Sequence, residues 1–139
     1  ILKNELESIE QTNTTKLNNK RILLVDDDRL NNRILKRLLK IYDIELDTCE
    51  RGIECIDKIN NGEQYDLILM DIMMPDMNGI DTLKKLKSNK NFNTKVVALT
   101  ADALSTSKNK YLKVGFTDYI PKPFKKEELE QKLKELLGD

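Results

Sequence analysis

Asp26 and Asp27, Asp71, Thr100 and Lys122 each stand at the carboxyl end of an expected strand, and each acid directly follows an apolar run, where a buried strand would meet solvent. Carboxylates in such places are costly unless something offsets them. Two of them about 4 Å apart repel by roughly 4 kcal/mol at an effective dielectric of 20, and a third adds to the cost. If the three acids converge, a cation is therefore expected. Oxygen donors without histidine or thiolate select a hard ion, and a few carboxylates with a carbonyl and waters suit octahedral Mg²⁺ better than the larger Ca²⁺. Lys122 adds a second positive charge and three donors. A carboxylate, a divalent cation, a lysine and a hydroxyl together fit phosphoryl transfer, in which a protein chiefly positions groups and neutralises charge on phosphoryl oxygens. Asp71 is the expected nucleophile because it stands alone after its run, whereas Asp26 and Asp27 form a pair suited to holding metal. The product would be an acyl phosphate.

The elements that must hold these residues can be read from periodicity. From Lys20 onward, short runs rich in Ile, Val and Leu alternate with longer amphipathic stretches, the pattern of repeated βα units. Strands are expected at 21–25, 44–49, 65–70, 95–100 and 117–120. Helices are expected at 29–40, from about Gly52 to the Asn60-Asn61-Gly62 stop, from Ile80 to Leu86, at 102–113 and at 126–137. Asp28 reads as the cap of the first helix, whose inward stripe is expected to be Leu30, Ile34, Leu38 and Ile41. The second helix should turn Ile53, Ile56 and Ile59 inward, and the last Leu129, Leu133, Leu136 and Leu137. Three strands are near-continuous apolar runs, as expected when helices cover both faces of a parallel sheet. The fold class is therefore α/β. In such sheets ligands bind beyond the carboxyl ends of the strands, which is where the five residues lie.

The 139 residues are enough for one domain, and 24 basic against 24 acidic side chains leave no net charge. That balance argues against attachment to nucleic acid by bulk electrostatics. The longest apolar runs are four residues, such as ILLV, so no membrane contact by this chain is expected. No secretion signal is visible, which makes the cytoplasm the expected location. Cys49 and Cys55 lack CxxC spacing, and with no histidine in the chain a zinc site is disfavoured, so both read as buried reduced thiols. Residues 1–19 read as a helix tail and linker, with Leu2, Leu6 and Ile9 before a polar Asn/Thr stretch.

The segments VDDDRLNNR, LILMDIMMPDMNG, VVALTADA and DYIPKPF, in this order and spacing, resemble the receiver domain of response regulators in two-component signalling. The likeness covers Lys20 to Asp139. Four separate segments carry it, with 44 residues from Asp27 to Asp71, 29 from Asp71 to Thr100 and 22 from Thr100 to Lys122. The resemblance implies a flavodoxin-like, doubly wound (βα)5 sandwich with parallel sheet order 2-1-3-4-5. It implies that Asp71 accepts phosphate from a phosphohistidine on a histidine kinase or histidine phosphotransfer domain, and that the domain catalyses its own phosphorylation and dephosphorylation while acting mainly as a switch. Mg²⁺ would be bound by Asp27, Asp71 and the backbone carbonyl of Met73, with Asp26 acting through water. Lys122 and the Ala101 backbone would contact the phosphoryl group. Thr100 would hydrogen-bond that group and Tyr119 would turn inward, moving the surface of the fourth helix, fifth strand and fifth helix toward a downstream protein partner. The Lys122–Pro123 peptide is expected to be cis, as in similar proteins.

The chain has no histidine and so cannot form the phosphohistidine itself; it is expected to act as acceptor only. VVALTADALSTSKNKYLKVGFTDYI is most like the receivers of hybrid sensor kinases, which makes a place within a membrane-anchored hybrid kinase an alternative to a free domain. With no further domain after the last helix, output within this chain is expected to be protein contact. On this reading Lys122→Ala leaves the fold intact and uncouples phosphorylation from the surface change. Met73 and Asp102 are expected to tune the lifetime of the phosphorylated form.

Taken singly, these residues have plainer readings. An acid pair before a helix is usually a cap and its neighbour, Thr100 a β-branched strand residue, Lys122 a solvated charge and Tyr119 a packing aromatic. Met70, Met73, Met74 and Met77 read as core filling and loop packing rather than a soft-metal site. The joint spacing carries the functional inference. Two rivals remain at this level. Asp26-Asp27-Asp28-Arg29-Leu30 supplies the alternating acids of a haloacid dehalogenase-type aspartyl-phosphate phosphatase, although it lacks the usual Thr or Val at the last place. The other rival is a receiver-shaped interaction module that works without phosphate.

Overall fold

The computed structural model describes Leu17 and residues 19–101 and 105–138. The expected helix at the amino terminus, the start of the helix expected at 102, and Asp102 lie outside these residues. Five strands, β1 (Lys20–Val25), β2 (Ile44–Cys49), β3 (Leu67–Asp71), β4 (Lys95–Thr100) and β5 (Asp118–Pro121), alternate with α1 (Arg29–Leu38), α2 (Gly52–Asn60), α3 (Gly79–Lys87), α4 (Ser105–Val114) and α5 (Lys126–Leu137). All strand pairs are parallel and the order is β2-β1-β3-β4-β5. This is the doubly wound, flavodoxin-like α/β sandwich, with β3 at its centre and the order reversing beside β1.

The pleat divides the strand side chains between two cores. Ile22, Leu24, Leu67, Leu69, Val97, Leu99 and Ile120 join Leu35 and Leu39 near α1 and Leu129 and Leu133 of α5. Their strand neighbours Leu23, Val25, Ile68, Met70, Val96 and Ala98 join Cys55 of α2, Leu83 of α3 and Tyr111 of α4. Every second residue thus serves a different helix layer, which is why the strands read as unbroken apolar runs. Leu17 is wholly buried in the first of these cores.

Two helix faces differ from expectation. Of the expected stripe Leu38 packs against the core, but Leu30 and Ile41 are 62% and 59% exposed, and the buried residues are Leu35, Leu39 and Tyr42. In α2, Ile53 is exposed while Gly52 and Cys55 face inward with Ile56 and Ile59 beside them. A helical period accepts either stripe equally well, and the rotation is chosen by what lies across the interface. For α2 that choice is visible in Gly52, where any Cβ would collide with the Thr82 hydroxyl of α3. Only a glycine lets the two helices approach so closely.

Met70 and Met74 fill the core as expected, whereas Met73 is 80% exposed at the rim. Cys49 and Cys55 are free and buried.

Candidate functional site

β1 and β3 lie side by side with Val25 opposite Met70, so the residues that follow emerge together at one edge. Asp26 donates its backbone N–H to the Cys49 carbonyl at 3.0 Å, which extends the β1–β2 pairing one step and fixes the direction of its side chain. Asp71 is the last residue of β3, in register with Leu99 of β4. Sheet partners share a face, and Leu99 belongs to the α1/α5 core, so Asp71 faces that side. Lys122 follows β5 two residues after Ile120 of the same core, and its backbone N–H donates to the Thr100 carbonyl at 2.8 Å. The Lys122–Pro123 peptide is cis.

Three carboxylates are gathered here. Oxygen atoms of Asp26, Asp27 and Asp71 lie within 4.8 Å of one another, Asp26 and Asp71 buried and Asp27 exposed. The Lys122 ammonium bridges the two buried ones, 3.0 Å from Asp26 Oδ2 and 3.1 Å from Asp71 Oδ1. Asp26 is further held by the Asp28 N–H on Oδ1 at 2.9 Å and by the Asn31 side-chain amide on Oδ2 at 3.1 Å. Asp71 Oδ1 accepts the Met73 N–H at 3.2 Å. Asp26 is therefore satisfied on both oxygens, while among the described residues Asp71 holds its contacts on Oδ1.

The electrostatics follow from this crowding. Burial, and then the Asp26 charge, push the Asp71 carboxyl up to about 6 against the opposing pull of Lys122 and the Met73 N–H. Burial alone would lower the Lys122 ammonium, but its hydrogen bonds to Asp26 and Asp71 outweigh it and the pKa is raised. Lys122 is thus a fixed positive charge at neutral pH. Three carboxylates against this one ammonium leave negative charge in excess, and their hard oxygen donors at this spacing fit a small divalent cation.

The loop after β3 is braced against the site. Gly79 donates to the Ile72 carbonyl at 2.9 Å, and a Cβ on Gly79 would collide with the Asp71 carbonyl oxygen. Asn78 caps α3 through the Asp81 N–H at 2.8 Å. Asp28 caps α1 in the same way through the Leu30 N–H at 2.9 Å. α1 begins at Arg29, directly after Asp26 and Asp27, whereas α3 begins at Gly79 after a longer loop that folds back onto Asp71.

The remaining expected residues sit around this centre. Thr100 ends β4 with only 4% exposure, and its hydroxyl lies 3.0 Å from the Tyr111 hydroxyl of α4. Ala101 and Met73 are exposed at the rim. Tyr119 lies one strand away, in register with Ala98 and half-buried against the α2–α4 core. Sequence reasoning missed Asn31, Gly79 and Tyr111. Asn31 was detectable in principle, five residues after Asp26 on the first turn of a predicted helix, but Tyr111 is eleven residues from Thr100 with no spacing rule to join them.

Comparison with known proteins agrees with this geometry. Residues 22–134 match the family described as the response regulator receiver domain. The transcriptional regulatory protein CpxR homolog of Haemophilus influenzae is 38% identical over 117 residues, covering 84% of this chain and 50% of that protein. The chain spans about half the length of the curated relatives of this kind that it matches. The receiver domain of sensor histidine kinase PA1611 from Pseudomonas aeruginosa, solved with a magnesium ion coordinated in its active-site cleft, superposes with a TM-score of 0.75 at 30% identity, covering 86% of this chain and 98% of that one. A co-crystal structure of the Saccharomyces cerevisiae histidine phosphotransfer protein Ypd1 with the receiver domain of Ssk1 gives a TM-score of 0.75 at 29% identity, covering 85% and 88%. Among the described residues, no helix is long and apolar enough to cross a membrane. With the matching sequence running through every strand and the acids, lysine and threonine all at the same edge of the sheet, this chain belongs to the response regulator receiver domain family of two-component signalling.

Proposed function

We propose that Asp71 is the phosphoacceptor of this receiver. The observation that carries the reading is the pair of contacts from Lys122 to Asp26 and Asp71 beside the three-carboxylate cluster. A carboxylate oxygen of Asp71 attacks phosphorus, the P–N bond of a donor phosphohistidine breaks, and the electron pair stays on the imidazole nitrogen, which takes up a proton from water. Lys122 contacts the phosphoryl oxygens and offsets their charge, and the Ala101 N–H and the Thr100 hydroxyl donate to the same group.

Asp26, Asp27, Asp71 and the Met73 carbonyl would hold Mg²⁺, with Asp26 acting through water. When bound, the ion supplies charge neutralisation at the phosphoryl oxygens. Asp26 is ill-suited to the nucleophile role that a phosphatase of the haloacid dehalogenase type would give it, because Asp28, Asn31 and Lys122 already occupy its oxygens.

The phosphoryl donor is a histidine kinase or a histidine phosphotransfer protein, a reading supported by the likeness to the Ssk1 receiver. Output is through a downstream protein partner at the surface of α4, β5 and α5, with Tyr119 turning inward, and the site of action is the cytoplasm. Residues 20–139 form the receiver and 1–19 its connector.

Intact mass after incubation with Mg²⁺ and acetyl phosphate tests the proposal. One added phosphoryl group is expected on the wild type and none on Asp71→Asn. An unmodified wild type that still binds its partner would favour the phosphate-independent module. Turnover of phosphate esters that depends on Asp26 would favour the phosphatase.

A further inference from the structure

Thr100 and Asp71 face opposite sides of the sheet. Asp71 shares the side of its register partner Leu99, which packs in the α1/α5 core. Thr100 follows Val96 and Ala98 in the alternation, and both belong to the core under α2–α4. Its hydroxyl is accordingly engaged on that side, 3.0 Å from the Tyr111 hydroxyl in a buried contact.

Tyr111 cannot easily follow if Thr100 moves. Its ring meets Phe116 edge-on, with centroids 6.2 Å apart and planes at 90°. Its backbone carbonyl accepts from the Gly115 and Phe116 N–H groups at 3.3 and 3.1 Å, where α4 ends. The residue is 6% exposed, so a phenol that loses a buried partner must regain one from water or by a shift of α4.

We propose that Tyr111 is a positioning residue for Thr100: its hydroxyl holds the threonine on the α4 side of the sheet in the unphosphorylated protein, and Thr100 must release it to serve the phosphoryl group. The inference rests on the reading of Asp71 as phosphoacceptor. Because the released phenol lies on α4, the same exchange reports the state of Asp71 to that helix. The bond acts as a brake on phosphorylation and as the link through which α4 responds.

Tyr111→Phe keeps the ring against Phe116 and removes only the hydroxyl. Rates of Asp71 phosphorylation by acetyl phosphate in Mg²⁺ are compared in wild type, Tyr111→Phe, Thr100→Val and the double variant. Tyr111→Phe is expected to accelerate phosphorylation roughly 2- to 10-fold, the range set by one net hydrogen bond. In the Thr100→Val background the same substitution is expected to change nothing, since no hydroxyl remains to release. General loosening of α4 would instead give equal acceleration in both backgrounds, and that result overturns the proposal. So does a Tyr111→Phe rate equal to or below that of a wild type that does accept phosphate, which refutes the brake alone. A wild type that takes no phosphate, with Tyr111→Phe equally inert, overturns the phosphoacceptor reading and the brake together.

Discussion

Gly79 stands against the backbone of Asp71 so closely that a side-chain carbon there would overlap the Asp71 carbonyl oxygen. The start of α3 therefore helps to set the position of the acceptor through main-chain contact alone. Gly79→Ala must push the helix away or displace the end of β3. The expected cost is about 1–3 kcal/mol, the usual penalty for overpacking. Urea midpoints measure it, and a midpoint equal to that of wild type would show that the contact relaxes freely.

Asp71 itself is held at the expense of stability. Burial and the Asp26 charge raise its pKa from 3.8 to about 6 in the folded protein, so the native state binds more protons than the unfolded chain between these values. Stability contributed by this group is present below pH 3.8 and is lost as pH rises through about 6. Asp71→Asn removes the penalty, and at pH 7.5 in EDTA it is expected to stabilise the protein, by on the order of 1 kcal/mol once solvent screening is allowed for. Near pH 4 the gain should shrink toward zero. Parallel denaturation curves for both proteins at every pH would contradict this.

Lys122 is the counter-charge for two buried carboxylates, which sets its mutation apart from the loss of an ordinary surface lysine. Lys122→Ala is expected to retain the native secondary structure but to lose on the order of 3 kcal/mol without metal, because a buried ion pair broken on one side leaves the other charge uncompensated. Saturating Mg²⁺ should return part of the loss. Thermal unfolding of both proteins with and without Mg²⁺ reads the difference, and equal losses in the two conditions would remove the electrostatic explanation.

The thiols offer an independent test of the core. Burial pushes both Cys49 and Cys55 up to about 12, which leaves almost no thiolate at pH 8. Labelling by Ellman's reagent is expected to be slow in the native protein and immediate in guanidinium chloride. Rapid native labelling of either thiol would mean that the α2 side of the core opens readily.

Much of this architecture is written locally. The apolar runs ILLV, LILM and VVAL mark strands covered on both faces, and the acids and Thr100 at their carboxyl ends, with Lys122 after the short fifth strand, mark the edge where chemistry gathers. Asp28 and the Asn60-Asn61-Gly62 stop are equally local, because capping and left-handed turns depend on residue type over a few positions. Other features depend on partners far along the chain. A helical period fits Leu30 with Ile41 as well as Leu35 with Leu39, and only the sheet beneath α1 selects the second pair. The helix-to-helix contact of Gly52 with Thr82 and the hydrogen bond of Thr100 to Tyr111 likewise leave no periodic trace. Residue type and spacing determine which groups reach the edge of the sheet. Which neighbour each group then meets is decided by packing between separate elements, where shape, buried polar atoms and charge must be satisfied together.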